Sequence, residues 1–279
     1  MTGLRISHPD KILFPADGIT KGEVAAYYSA VAPLMLPHLR RRPITMERFP
    51  GGIGSKGFIQ KDVSTGFPEW LKRVEAPKKG GTVHYPLAND ARSLQWLANQ
   101  NAIALHVWPS RTPRIDRPDL CVLDLDPSRD DPGVLRDATM ALREVLEGLG
   151  HTAWVKTSGS KGFHVVVPLG ARATFEQAAT LADRASDMLV QRLPQAVTQA
   201  FTKADRHERI FIDTARNRAG ATFAAAYSLR AKPGAPVSAP CSWAEIESGE
   251  VQPQTFTLRN MEARIAAVGD LWKDLGRSR

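Results

Sequence analysis

The chain of 279 residues has only two cysteines, Cys121 and Cys241, which excludes a disulfide framework and a thiolate zinc site. Cys121 lies inside an apolar run and reads as a buried thiol, so a reducing cytoplasm suits the chain. No apolar stretch approaches the length of a membrane span. The opening residues MTGLRISHPDK contain no hydrophobic leader core. The expectation is a soluble, untargeted protein with no membrane partner. Internal repeats, low-complexity tracts and a Walker-type phosphate loop are also missing.

What the chain does have is positive charge. Lys plus Arg outnumber Asp plus Glu by 37 to 29, a net charge of +8. That favours polyanionic partners and says nothing about fold. The length is long for one domain and short for two full ones.

Periodicity predicts a mixture of strands and helices throughout, a mixed α and β class. Thr20 caps a helix starting near Lys21, with Val24, Tyr27, Tyr28, Val31 and Leu34 as its apolar stripe. RRPITMERFP reads as a short strand, and GGIGSKGFIQKDV as a glycine-rich loop carrying Phe58 and Ile59. Two strands flank a basic turn at 77–81, then a helix spans ARSLQWLANQNA and a strand IALHVWPS. Further helices are expected near 131–149 and 174–192, with a mostly helical tail from about 255 to 275. TAWVKTSGSKGFHVVVPL reads as two strands around a glycine turn, ERIFIDTARN as a strand and FAAAYSLRAKPGAPVS as another.

The chemistry concentrates in CVLDLDPSRDD. Side chains alternate along a strand, so Asp124 and Asp126 share one face and Leu123 and Leu125 the other. Two like charges so close need a cation or a shared proton between them. Hard divalent cations suit such oxygen ligands. By itself the pair also fits a strand end turning into solvent before Pro127. Asp213 repeats the design at the end of RIFID, and three such acids would make a two-metal site. In SGSKGFH, Ser158 to Gly162 form a turn whose backbone N–H groups can cradle an anion, with Lys161 and His164 beside it. Taken alone, that turn also fits a plain hairpin. Arg216, Arg218, Arg230 and Lys232 flank the third acid and the segment after it. His106 stands on a strand ahead of the acids.

Together HPDKILFP, GITK, YYSAVAPLMLPHL, LHVWPSR, RPDLCVLDLDPS, SGSKGFHV and FIDTARN…AYSLRA resemble the polymerase domain of bacterial ligase D enzymes. That family belongs to the archaeo-eukaryotic primase (primase-polymerase) superfamily. The resemblance runs from about residue 7 to residue 275, with motifs in family order. It implies an α+β primase-polymerase fold, in which a central antiparallel-rich catalytic sheet accompanies a second, smaller sheet and flanking helices. It implies a single domain over 1–279, with an N-terminal part to about 115 binding DNA ends and a catalytic core from about 116. Asp124, Asp126 and Asp213 match the catalytic, metal-binding acids, holding two Mn²⁺ or Mg²⁺ ions. Ser158, Lys161 and His164 match the nucleotide-phosphate hairpin. His106, Arg230 and Lys232 match nucleotide-site positions, the last commonly Arg in the family. Lys11 and Lys21 match lysines that recognise a 5′-phosphate, and Phe58 an aromatic that packs on the template. Ile59 stands where some members have a second Phe.

The implied activity is DNA-directed nucleotidyl transfer that fills short gaps and extends primer ends in break repair, with a preference for ribonucleotides. The implied partners are NTP or dNTP, gapped or broken duplex DNA with a 5′-phosphate, a Ku-like end-binding protein and a DNA ligase. A bacterial cytoplasm, with nucleoid association when DNA is bound, is implied by the same resemblance. A primase that starts chains unaided is one alternative. A non-catalytic end-bridging module is another, against which the three acids argue.

Overall fold

The computed structural model describes residues 4–63, 66–78 and 80–276. A small antiparallel hairpin, β1 (Ile12–Phe14) and β2 (Ile19–Thr20), leads into α1 (Lys21–Leu39). The Thr20 hydroxyl accepts from the Glu23 N–H, and the Glu23 carboxylate accepts from the Thr20 N–H. This reciprocal cap satisfies donors that a helix start leaves open. Val24, Tyr27, Tyr28 and Val31 are buried as the periodicity requires, and Leu34 is half-buried. The Tyr28 hydroxyl donates to the Ile103 carbonyl at 2.6 Å, pinning the helix to a strand that lies 75 residues further along the chain.

Next come β3 (Ile44–Arg48), β4 (Phe58–Gln60), β5 (Arg73–Lys78), β6 (Gly81–Pro86), α2 (Ala91–Asn99) and β7 (Ala102–Val107). Phe58–Gln60 is thus an edge strand and not the loop its glycine-rich setting predicts. Its hydrogen bonds come from β3, with Arg48 opposite Phe58, a pairing across sequence that local composition does not reveal. β5 and β6 form the expected hairpin; Lys79 of its turn lies outside the described residues.

After the short pair β8 (Ser110–Arg111) and β9 (Arg114–Pro118), the chain enters β10 (Leu120–Pro127), α3 (Pro132–Gly148), β11 (Trp154–Thr157), β12 (Phe163–Pro168) and α4 (Phe175–Arg192). It closes with β13 (Val197–Thr198), β14 (Ile210–Asp213), β15 (Phe223–Ala224), β16 (Pro240–Cys241), α5 (Trp243–Ser248) and α6 (Met261–Val268). The strand expected across FAAAYSLRAKPGAPVS ends after Ala224. Tyr227 at φ 66° and Gly234 at φ 81° turn the backbone out of extension, leaving one bridge between Leu229 and Val237. The helical tail is confined to the eight residues of α6, followed by turns.

Six strands in the order β13-β14-β10-β12-β11-β16 make the main sheet, antiparallel except for β13 on β14. A second, four-stranded antiparallel sheet runs β15-β7-β3-β4. It draws β15 from late in the chain, so the early and late halves interlock. α3 and α4 pack on the main sheet. The fully buried Cys121, Leu123 and Leu125 share the covered face of β10, with Cys121 Sγ against the Ala178 carbonyl of α4. Both cysteines are buried free thiols. No helix of the described residues is long and apolar enough to cross a membrane.

Candidate active site

Strand register builds the site. Asp213 on β14 lies opposite Asp124 on β10, Asp124 opposite His164 on β12, and His164 opposite Lys156 on β11. Opposed residues share a face, so four ionisable side chains cross the sheet in one row. Asp126 comes two residues further along β10 on the same face. Desolvation dominates Asp124. Burial pushes its pKa up to about 6, with Asp213 and Asp126 adding to the rise and Arg216 opposing it. That shift corresponds to roughly 3 kcal/mol against the carboxylate form. Leu123 and Leu125, at 0% exposure on the other face, each stabilise the strand by roughly 1.5–3 kcal/mol and hold the acid there.

Guanidinium groups cover the acids. Arg216 Nη2 stands 3.0 Å from Asp213 and 3.4 Å from Asp124, bridging them. Its turn is fixed by Asn217, whose amide accepts from the Val122 N–H at 2.7 Å and donates to the Val122 carbonyl at 2.8 Å. Arg206 meets Asp126 at 3.2 Å and stacks on Phe211, 4.2 Å from the ring centre. Three carboxylates on one face offer an all-oxygen donor set that suits a hard divalent cation. Among the described residues, no three acid, His or Cys side chains stand close enough together to hold one ion as they are.

The hairpin between β11 and β12 forms the opposite wall. Ser158 Oγ accepts from the N–H groups of Ser160 and Gly162, each at 3.1 Å. Two backbone donors expected to cradle an anion are therefore engaged inside the loop, leaving Lys161 as its outward charge. Gly162 is required by space: a Cβ there would lie 1.7 Å from the Leu125 carbonyl oxygen. Arg230 donates to the Ser158 carbonyl at 2.7 Å, packing along the turn. His164 approaches Asp124 at 3.4 Å, and burial, then Lys156 and Arg230, hold it well below the usual histidine range. It is neutral at neutral pH. Among the described residues, His164 Nδ1, Arg216 Nε and Arg230 Nε are buried without a hydrogen-bond partner. Such groups suit a ligand rich in oxygen acceptors. Asp124, Asp126, Ser158, Lys161, His164, Asp213 and Arg230 line one cleft of about 300 Å³.

His106 and Lys232 are not among the residues that line it. His106 projects from β7, 3.8 Å from Glu47 on β3, its pKa lowered chiefly by burial and secondly by Arg230 and Arg216. Lys232 is half-exposed on the loop after Arg230, and its charge reaches Glu47. Lys11 and Lys21 line a different groove of about 610 Å³ with Ser7 and Asn101. Lys21 is 3% exposed, donates to Ser7 Oγ at 2.8 Å, and is pushed down by burial, Lys11 and Arg48. Phe58 is 46% exposed beneath the Arg48 guanidinium. Arg48 therefore lies between groove and aromatic.

Sequence reasoning missed Arg206, Lys156 and Phe201. Arg206 sits in the charged run KADRHER, which reads as solvated loop. Lys156 interrupts the apolar stretch AWV, a readable signal of a buried charge. Phe201 lines the cleft at 82% exposure.

Residues 20–272 match the family model of the LigD primase-polymerase domain. The multifunctional non-homologous end joining protein LigD of Mycolicibacterium smegmatis is 35% identical over 96% of this chain, which covers 35% of that protein. The bifunctional LigD of Bacillus subtilis is 31% identical over 95% of the chain and 43% of its own length. The chain thus spans less than half the length of these relatives. The polymerase domain of Mycobacterium tuberculosis ligase D, solved in complex with DNA, superposes with a TM-score of 0.92 at 33% identity, covering 98% of each chain. A carboxylate row on an antiparallel sheet, faced by a phosphate-sized cationic cleft, is thus found in a chain that belongs to the LigD primase-polymerase domain family.

Proposed function

We propose that this chain is a DNA-directed nucleotidyltransferase that fills short gaps and extends primer ends in break repair. The observation that carries the reading is the cross-strand row Asp213–Asp124–His164, capped by Arg216 and sharing one cleft with Lys161 and Arg230. Three acids and several cations lining one cleft suit a nucleoside triphosphate bound through metal. Asp124, Asp126 and Asp213 would hold two divalent ions, Mg²⁺ or Mn²⁺, taking the place of the Arg216 guanidinium that bridges Asp124 and Asp213. Such ions would supply neutralisation of phosphate charge and activation of the attacking oxygen. Ser158 shapes the hairpin, Lys161 and Arg230 take phosphate oxygens, and neutral His164 offers a hydrogen bond without adding charge. Positioning and charge neutralisation do the rest, as phosphoryl transfer demands.

His106, Glu47 and Lys232, whose charges interact with one another or with Arg230, would supply polar groups toward the sugar. A site built to bond a hydroxyl discriminates against its absence, which supports a ribonucleotide preference. Lys11 and Lys21 supply the charge for a downstream 5′-phosphate, and exposed Phe58 a stacking surface for the template. Residues to about 115 would then serve the DNA end and the remainder the chemistry. A Ku-like end-binding protein and a ligase are the proposed partners, a reading supported by the end-joining names of the longer relatives.

The test is extension on a gapped duplex with rNTP or dNTP in Mg²⁺ or Mn²⁺. Asp126→Asn should lower extension on the order of 10²–10³-fold or more, while DNA affinity, set by basic contacts, survives. Near wild-type extension by the variant would refute the metal assignment, and equal rates with both sugars the ribonucleotide preference.

A further inference from the structure

The hairpin β1–β2 has its two ends in one place and its tip in another. Lys11 directly precedes β1 and Lys21 directly follows β2, and the Lys21 N–H donates to the Lys11 carbonyl at 2.7 Å. Both lysines line the end-binding groove. At the tip, Asp17 Oδ2 accepts from the Gly234 N–H at 2.8 Å. Gly234 belongs to the tight loop after Arg230, which closes where the Arg230 N–H donates to the Pro236 carbonyl and the Ala235 N–H to the Lys232 carbonyl. Arg230, at the start of that loop, lines the proposed nucleotide cleft, and Lys232 follows it within the loop. Between the two ends the hairpin is stiff, since Leu13, Phe14 and Ile19 are at most 1% exposed. Arg259 braces the tip, donating to the Asp17 carbonyl at 3.4 Å while pairing with Glu23 of α1 at 3.3 Å.

We infer that Asp17 is a positioning residue that couples the end groove to the nucleotide cleft. A phosphate drawing Lys11 and Lys21 together fixes the hairpin's base. The stiff body carries that order to Asp17, which holds the Arg230–Lys232 loop in its nucleotide-binding position. Ordering one site then lowers the ordering cost at the other, so occupancy of the groove tightens nucleotide binding. The inference rests on the proposed roles of Lys11, Lys21, Arg230 and Lys232. By linkage the coupling is reciprocal, and a modest one amounts to about fivefold.

The experiment measures nucleotide KM and kcat on gapped DNA with and without the downstream 5′-phosphate, and the affinity of each DNA, for wild type, Asp17→Ala, Asp17→Glu and Asp17→Asn. Wild type should show a KM about fivefold lower on phosphorylated DNA, with kcat little changed. Asp17→Ala and Asp17→Glu should give one KM on both DNAs, yet keep the binding preference for the phosphorylated gap. Asp17→Asn retains an acceptor oxygen and should restore the ratio. Asp17→Glu keeps the charge and places it one methylene too far, so it serves if Asp17→Ala melts early. A wild-type ratio retained by both uncoupling variants overturns the inference, and so does a wild-type KM that ignores the phosphate while binding prefers it. If wild type shows no binding preference either, the groove is not a phosphate site, and both readings fall together.

Discussion

The cleft on the main sheet, where acids and cations mix, and the lysine groove beside the β1–β2 hairpin stand on opposite kinds of scaffold. In the cleft, Asp213, Asp124, His164 and Lys156 stand on four neighbouring strands, and register fixes each relative to the next. In the groove, Lys11 and Lys21 sit on either side of a two-stranded hairpin, beside Asn99–Asn101 at the end of α2. A register slip of one residue would move every cleft group to the covered face. The groove has no such lock and depends on a helix cap and a few hydrogen bonds. The proposed chemistry, which needs fixed distances, would thus rest on central strands, and the proposed capture of a DNA end on the periphery.

The most damaging test of that contrast is a methyl group. Gly162→Ala puts a Cβ into the Leu125 carbonyl and must push β10 and β12 apart. It should abolish extension and lower the melting temperature sharply. Gly18→Ala, in the groove hairpin at φ +64° with nothing within 4 Å, should cost only about 1–2 kcal/mol. Similar losses from both, read by thermal melting, would erase the distinction.

Lys156 sharpens it further. The side chain is fully buried, bonded to Ser238 Oγ and 3.4 Å from the Thr157 carbonyl, and burial, then Arg230, pushes its pKa well below the lysine range. With a depressed lysine pKa, the unfolded chain binds more protons, so wild-type stability rises with pH up to about 10.5. Lys156→Met should therefore be more stable than wild type at pH 7, by roughly 1–4 kcal/mol, and lose that advantage toward pH 10. Ser238 still donates to the Thr157 carbonyl at 2.9 Å, so no hydroxyl is orphaned. Denaturant titrations at the two pH values decide it; a less stable variant at pH 7 would mean that the ammonium is a net cross-link.

The smallest effects belong to the groove itself. Lys21→Ala, removing a desolvated ammonium, should reduce the preference for a 5′-phosphate about tenfold. Lys11→Ala, removing an exposed one, should reduce it only a few-fold. Each should lower the slope of log affinity against log salt by about one. Binding titrations at several salt concentrations rank the two, and a larger loss at Lys11 would reverse the assignment of the anchoring lysine.

Much of the cleft could be read from sequence because it obeys short-range rules. Asp124 and Asp126 two apart in an apolar run declare a face, and Thr20 with Glu23 declares a helix start. What escaped depends on partners far along the chain. Phe58–Gln60 becomes a strand only through β3. Arg206 acquires meaning only when Asp126, 80 residues earlier, comes within 3.2 Å. The inward turn of the hairpin donors toward Ser158 Oγ is a matter of loop conformation that SGSKG does not encode visibly.

The two cysteines have a practical consequence. Cys121 and Cys241 are at most 4% exposed, and burial pushes both thiols up to about 12. At pH 8 almost no thiolate exists at either position, so maleimide dyes and spin labels find nothing to attack in the folded chain. A single cysteine introduced at Phe201, 82% exposed on the cleft rim, becomes the only reactive handle without altering either native thiol. A fluorophore there turns nucleotide and primer arrival into an optical signal.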